Sequence, residues 1–502
     1  MSNLELPAGW VRTSLADVGE VVSGATPKTN IAEYWGGDIP WITPDDLSKN
    51  PAKRTKVGRR SLTRSGYNSC STRIVPPESV LFSSRAPIGY VTIASDYLCT
   101  NQGFKTIIPG PAACADYLYW YLQYKTPDII ANASGTTFKE ISGKKFAETE
   151  LLLPPLAEQY RIVEALEDHL SRLDAATEAV TSAKRRLNSF SASVLNRTTL
   201  GISSTAGFVP GTGNSSHALL QNLSSRRFEY TALPPLPEGW FWRQASDVCT
   251  LISSGSTPKA HLMHAGSGDV PFLKVYNITQ DGQVDFTNKP TYIDRETHEI
   301  HLKRSRVRPG DVITNIVGPP LGKTAVVPNQ HPEWNINQAI VVFRSGPDIQ
   351  PEWLALILQS PTVIEMLKKT AKATAGQFNI ALSTCRELPL PIPPRDVQLE
   401  LVKQSAEILE ISDRFNKQAA IISLRAKKFR QAVLRRAFLG KLVPQSPADE
   451  PPSILLDRIR AEQEPGDSKA QRATRRRQGE TTAKTSLAPS APTTTVQQEL
   501  PL

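Results

Sequence analysis

Hydrophobic and polar positions fall into two textures along this chain, and each texture occurs twice. The first consists of short apolar runs rich in β-branched and aromatic residues, punctuated by Gly and Pro. It covers Ile39–Ile42, Ser79–Phe82, Tyr90–Ile93 and Lys105–Ile108, and later Asp311–Thr314, Thr324–Val327 and Ala339–Phe343. Such runs predict strands. A helical segment follows each set, over Ala115 to Tyr124 and Pro351 to Gln359. The second texture is a heptad pattern. Val163, Leu166, Leu170, Leu173, Val180 and Leu187 form one apolar stripe, and Leu401, Ile408, Ile411, Phe415, Ile422 and Phe429 form another. Both stripes start just after a Pro-Pro, which cannot lie inside a helix and favours extended chain before it.

The textures repeat because the chain does. Leu6-Pro-Ala-Gly-Trp10 and Ser23-Gly-Ala-Thr-Pro-Lys28 return as Leu236-Pro-Glu-Gly-Trp240 and Ser254-Gly-Ser-Thr-Pro-Lys259. The predicted organisation is a similar α+β globule in 1–153 and in 236–391, with long helices over 154–201 and 392–440. A linker rich in Ser, Gly and Asn spans 202–235, an extension with a short helix spans 441–465, and a polar tail suited to disorder spans 466–502. Each long helix, of about 40 residues, gives a rod of roughly 60 Å. A helix with one apolar stripe needs a partner, so the two copies are expected to pair as an antiparallel coiled coil with pseudo-two-fold symmetry and the globules at opposite ends.

Composition narrows the function. The 502 residues hold 39% hydrophobic side chains, enough for cores, and no apolar run approaches the ~18 residues of a membrane span. The N-terminus lacks the pattern of a signal peptide, and the five cysteines form no paired spacing. These features point to reduced thiols in a cytoplasmic protein without structural zinc. The net charge of +10 is modest. Residues 1–156 hold 16 basic and 14 acidic groups, and residues 236–394 hold 15 and 14, so a nucleic-acid face has to come from clustering. Lys53, Arg54, Lys56, Arg59, Arg60 and Arg64 form one run; Lys303, Arg304, Arg306 and Arg308 form another. A solvated face accounts for either run equally well.

Catalytic motifs are missing from the pattern. Gly318-Pro-Pro-Leu-Gly322-Lys-Thr324 has three residues between its glycines where a phosphate loop has four, and its prolines remove N–H donors. The chain has no Asn/Asp-Pro-Pro-Tyr/Phe tetrapeptide, and its seven histidines show no metal spacing; the i, i+3 pairs His261/His264 and His298/His301 read as solvated loops. The polar loops carry the candidate chemistry instead, since amides and hydroxyls can read base edges while Arg and Lys reach phosphates. Candidates for DNA contact are Thr26, Lys28, Arg59, Arg60, Arg85, Thr137 and Lys139 in the first copy. Thr257, Lys259, Arg304, Arg306, Lys323, Gln377 and Asn379 are those of the second. Positions that differ between copies suit readout of two different sequences. Asn101-Gln102 and Asn337-Gln338, which recur, read better as buried turn formers. A stand-alone DNA methyltransferase or nuclease, or a scaffold that touches no DNA, remain as alternatives.

The motifs taken together resemble the specificity subunit of type I restriction-modification systems. The Leu-Pro-x-Gly-Trp openings and the Ser-Gly-x-Thr-Pro turns carry the resemblance. So do Pro154-Pro-Leu-Ala-Glu-Gln159, the run Arg430–Leu442 and the segment Val443–Glu462. Val194–Gly201 departs from it in being more polar than its distal counterpart. The resemblance implies a non-catalytic subunit with two target recognition domains, each reading half of a bipartite double-stranded DNA site, on helices that set the gap. It implies two modification subunits that methylate adenine with S-adenosylmethionine and dock on the helices. It further implies two restriction subunits with ATP- and Mg2+-dependent translocase and nuclease activity, in a bacterial or archaeal cytoplasm. No cofactor is expected on this chain.

Overall fold

The computed structural model describes residues 6–49, 52–85, 87–135, 139–202, 228, 233–279, 281–318, 320–374 and 377–463. Most of the expected 202–235 linker and the whole 466–502 tail lie outside these residues. The chain divides into two compact units, one of residues 1–174 with 427–502 and the other of residues 175–426. The division falls within both long helices, not at the joint between the sequence repeats.

The first unit is built on a five-stranded sheet. Its strands run in the order Gly19–Ser23, Phe104–Pro109, Val80–Ser83, Val91–Ala94 and Arg54–Thr55. A three-stranded sheet places Trp35–Ile42 between Arg60–Leu62 and Cys99–Thr100. Val80, Phe82, Ile93 and Ile107 form a core with Tyr117, Leu118 and Tyr121 of the helix Ala115–Asn132. That helix continues through Pro127, well past the predicted end at Tyr124.

The second unit repeats the plan with a four-stranded sheet, Cys249–Ser254, Ile340–Ser345, Val312–Asn315 and Thr324–Val326, beside a five-stranded one. Its helix Pro351–Gln359 matches the prediction, and a second helix, Pro361–Thr370, follows. The observed strands coincide with the predicted runs to within a residue or two at most ends, because these are short apolar runs that the sheets bury almost throughout.

Each unit is fastened by the same side chains. Gln159, wholly buried at the start of a long helix, donates to the Ala112 and Pro154 carbonyls (2.8 and 3.1 Å) and accepts from the Cys114 N–H at 2.9 Å. Gln398 does the same with Asp348, Pro393 and the Gln350 N–H, at 2.9, 3.0 and 2.8 Å. Cys114 and Gln350 are the N-cap residues of the two globule helices. One glutamine thus satisfies a helix-end N–H that would otherwise be orphaned and ties two helices together.

The Leu-Pro-x-Gly-Trp motif closes the other end. A Cβ at Gly440 (φ +63°) would lie 2.3 Å from Pro7 and 3.2 Å from Trp10, and one at Gly201 (φ +67°) 2.3 Å from Pro237 and 3.3 Å from Trp240. Both glycines terminate long helices, where the left-handed conformation favours glycine and the close approach excludes a side chain. The opening motif of the first unit therefore caps the second of the two long helices, while that of the second unit caps the long helix just before it. The extension after Gly440 stays with the first unit. Its helix Pro452–Gln463 adds Leu456 to the core, and Arg161 binds Asp449 bidentately at 2.5 and 3.3 Å.

The long helices are Leu156–Thr199 and Arg395–Phe438, 44 residues each. In the first unit Arg161 meets Asp449 and Asp174 meets Arg430, so one segment rises as the other falls. In the second unit Asn416 donates to Asn188 at 3.0 Å. The apolar stripe of the central helix lies where expected, with Leu166 and Leu170 buried and Val163, Leu173, Val180 and Leu187 half-buried. The distal helix differs. Leu401 is buried and Ile408 and Phe415 are half-buried, but Ile411, Ile422 and Phe429 are 58%, 42% and 49% exposed. Between Leu401 and Val433 the buried positions are Ser405, Ser412 and Ala419, on the face that carries Asn416. Small residues let a helix backbone come close, so the packing seam runs along a stripe that hydrophobicity alone ranks second.

Candidate nucleic-acid interface

In the first unit the Ser-Gly-x-Thr-Pro turn lies against the Asn-Gln turn. A Cβ at Gly24 would sit 2.2 Å from the Asn101 carbonyl oxygen and 2.3 Å from that of Thr100. The Ala25 N–H donates to the Thr100 carbonyl at 3.1 Å, and the Trp41 indole donates to the Ala25 carbonyl at 3.0 Å. Thr26 donates its hydroxyl to the Gln102 side-chain carbonyl. Lys28 is exposed, and its carbonyl accepts from the Trp35 indole at 3.4 Å.

The basic run splits in two. Lys53 pairs with Asp116 and Glu167, Arg54 with Glu78 and Asp116, Lys56 with Asp96, and Arg59 with Asp45 and Asp46. The hydrogen bond that Arg59 donates to the Asp46 carboxylate holds its guanidinium firmly in the charged form, with Asp45 adding to the effect. The remaining two arginines rest on aromatic rings, Arg60 on Trp35 and Arg64 on Tyr67. Four of the six charges are thus paired with acids within the fold, and Arg60 lies on the ring that binds the Lys28 carbonyl.

Arg85 lies elsewhere on this unit. Its backbone bridges to Glu140, and its guanidinium lies 3.6 Å from that carboxylate. The buried Lys105 approaches Glu140 at 3.9 Å, and burial pulls its ammonium pKa down. Lys139 is exposed next to Glu140, whereas Thr137 lies outside the described residues.

The second unit keeps the frame. A Cβ at Gly255 would sit 2.1 Å from the Asn337 carbonyl oxygen, the Ser256 N–H donates to Ile336 at 3.1 Å, and Thr257 donates to Gln338. Lys259 is exposed. Around this frame the chemistry changes. Glu333 binds Arg306, with Arg295 and the ring of His298 each at 3.3 Å. His298 is fully buried, and its Nδ1 lies 3.1 Å from Asn335 Nδ2. Burial pulls its pKa down against the raising effect of Glu333. This corrects the expectation of a solvated loop for His298, although His261, His264 and His301 are exposed. Arg304 is exposed, and its carbonyl accepts from Ser253 at 2.9 Å.

Lys323 is half-buried, with its N–H given to Asn315 at 2.8 Å, and the Gly318 N–H goes to Phe378. The donors of that glycine loop are thus turned inward. Asn379 is exposed and bridges Val317, and Gln377 belongs to the same short strand, Gln377–Asn379.

The candidates thus form separate groups. Thr26, Lys28 and Arg60 come together, Arg85 and Lys139 form a second group, and Arg306 sits in a carboxylate network of the other unit. Sequence reasoning missed Trp35, which lies outside the repeated motifs, and Glu333, a lone acid. It also assigned both residues of each Asn-Gln turn to structure. Asn101 does accept from the Gly103 N–H at 2.9 Å, but Gln102 and Gln338 are exposed.

A doubled frame with unlike polar surroundings defines a recognition module present in two versions. The family described as type I restriction modification DNA specificity domain matches residues 7–181 and again 237–423. The chain belongs to that family. It is 32% identical over 280 residues to the type I restriction enzyme MjaIX specificity subunit of Methanocaldococcus jannaschii, an alignment spanning 55% of this chain and only 60% of that protein. It is 25% identical over 475 residues to the EcoBI specificity subunit of Escherichia coli, spanning 91% and 93%. A solved chain from work on complex assembly and conformational transition of the type I R-M system has the same fold, with a TM-score of 0.62 at 18% identity over 87% of this chain and 99% of that one. Among the described residues no helix is long and apolar enough to cross a membrane, and no group of three His, Cys, Asp or Glu is placed to hold a metal ion.

Proposed function

We propose that this chain is the DNA-recognition subunit of a type I restriction-modification complex, each unit reading one half of a bipartite duplex target. The observation that carries the reading is the repeated frame, Gly24–Thr26–Gln102 and Gly255–Thr257–Gln338, surrounded by side chains that differ between the copies. A shared frame places both readers alike on the duplex, and unlike side chains let them read different bases. The two 44-residue helices set the gap between half-sites, and half-sites on one side of B-DNA lie about 34 Å apart. Ile411, Ile422 and Phe429 are the apolar positions on which two adenine-modifying subunits dock. S-adenosylmethionine belongs to those subunits, and ATP and Mg2+ to two restriction subunits.

The test is long-read methylation profiling of a host carrying this chain with modification subunits. A split motif, with a methylated adenine in each half, is expected to appear with the chain and vanish without it. Inserting one helical turn within residues 160–195 should change the gap and leave both half-motifs intact. A continuous motif, or methylation that ignores the chain, would sink the proposal.

A further inference from the structure

Arg60 and Arg64 of the first unit are positioned by more than solvent exposure. Arg60 begins the strand Arg60–Leu62, and its guanidinium carbon lies 3.3 Å from the centroid of the Trp35 ring. Among the described residues no carboxylate pairs with it, in contrast to Arg59 immediately before it. The ring beneath is itself held. Its N–H is given to the Lys28 carbonyl, and it packs edge-on against the buried Trp41 at 5.0 Å and 75°.

The backbone around this shelf is closed tightly. A Cβ at Gly66 would lie 2.1 Å from the Tyr34 carbonyl oxygen, and one at Gly37 2.5 Å from the Thr63 Cα. The Thr63 hydroxyl donates to the Glu33 carbonyl at 2.7 Å, tying the turn Ala32–Tyr34 just before Trp35 to the N-cap of the helix that Arg64 starts. A guanidinium stacked on a fixed ring loses little further freedom when it binds, and its N–H edge remains available.

A planar fork presented edge-on matches O6 and N7 of guanine in the major groove, and a phosphate needs no such fixed plane. Among the described residues the second unit has no equivalent. Its strand register sets Pro271 opposite Tyr292 as Pro40 is set opposite Ser61, which makes Thr291 the counterpart of Arg60, and Thr291 is buried. We infer that Arg60 reads a guanine in the half-site bound by the first unit, with Trp35 as its positioning residue. This inference rests on the DNA-recognition reading proposed above.

The test uses the full chain and a pool of randomised duplexes, sequenced after binding at several salt concentrations. Wild-type protein should select a split motif. Arg60→Lys keeps the charge and loses the fork, so it should lower the preference at one G·C pair by roughly 5- to 150-fold. The other half-motif and the salt dependence should stay the same. Trp35→Leu should weaken the same position and no other, and matching unfolding midpoints for the variants establish that they fold. Unchanged selection by Arg60→Lys, or a uniform loss across sequences, would overturn the role of Arg60 while leaving the recognition reading intact. A wild-type chain that selects no sequence would overturn both.

Discussion

In the first unit Arg60 beside the frame rests on an indole and, among the described residues, pairs with no carboxylate; in the second, Arg306 and Arg295 converge on Glu333 beside a buried histidine. Beneath these corners the two units share their fastenings, down to a glutamine with three equivalent partners and a threonine hydroxyl on the same amide. The contrast separates two kinds of constraint. Backbone must pack on backbone at about 2 Å from any added Cβ, which leaves one solution at Gly24 and Gly255. A side chain at the rim meets only water and a ligand, so each copy is free to differ there.

Five substitutions, in three groups, sharpen or break this comparison. The largest effect is expected from Gly24→Val and Gly255→Val. Each forces a side chain into a carbonyl of the Asn-Gln turn and should destabilise its own unit by about 3 kcal/mol or more, read from denaturant midpoints. If only one copy suffers, the frame is not shared in the sense argued.

Next come Gln159→Leu and Gln398→Leu. Both leave a buried helix-cap N–H and two carbonyls without a partner, for about 2–3 kcal/mol each. Losses that differ by more than a factor of two would mean the clasps are not equivalent.

The smallest effect concerns pH and the second unit alone. His298 has a folded-state pKa below its unfolded value of about 6.5, so the unfolded chain binds the extra proton first. The stability tied to the neutral ring is complete above pH 6.5 and is lost as pH falls through 6.5 toward the folded pKa. The loss should stay below about 1.4 kcal/mol per pH unit. His298→Asn should flatten that acid limb in the second unit without moving the first, and an unchanged limb in unfolding scans from pH 7.5 to 5 would refute the assignment.

Local pattern determined much of this protein. The repeat, the strands from Ile39 to Phe343, the helices starting after each Pro-Pro and the glycines at 201 and 440 are legible because period, proline chemistry and positive φ act over a few residues. The resemblance to a DNA-specificity family was legible for the same reason, since its motifs are short. Long-range packing decided the rest. It paired the opening motif of the first unit with the end of the second long helix, Pro7 against Gly440 across almost the whole described chain. It chose Ser405, Ser412 and Ala419 over Ile411, Ile422 and Phe429 for the buried seam, because a seam is selected by how closely backbones fit as well as by hydrophobicity. It also sorted the basic run, giving Lys53, Arg54, Lys56 and Arg59 acids brought in from elsewhere and leaving Arg60 to a tryptophan outside the repeats. Charge is written residue by residue along the chain, but which charges remain free depends on neighbours that only folding supplies.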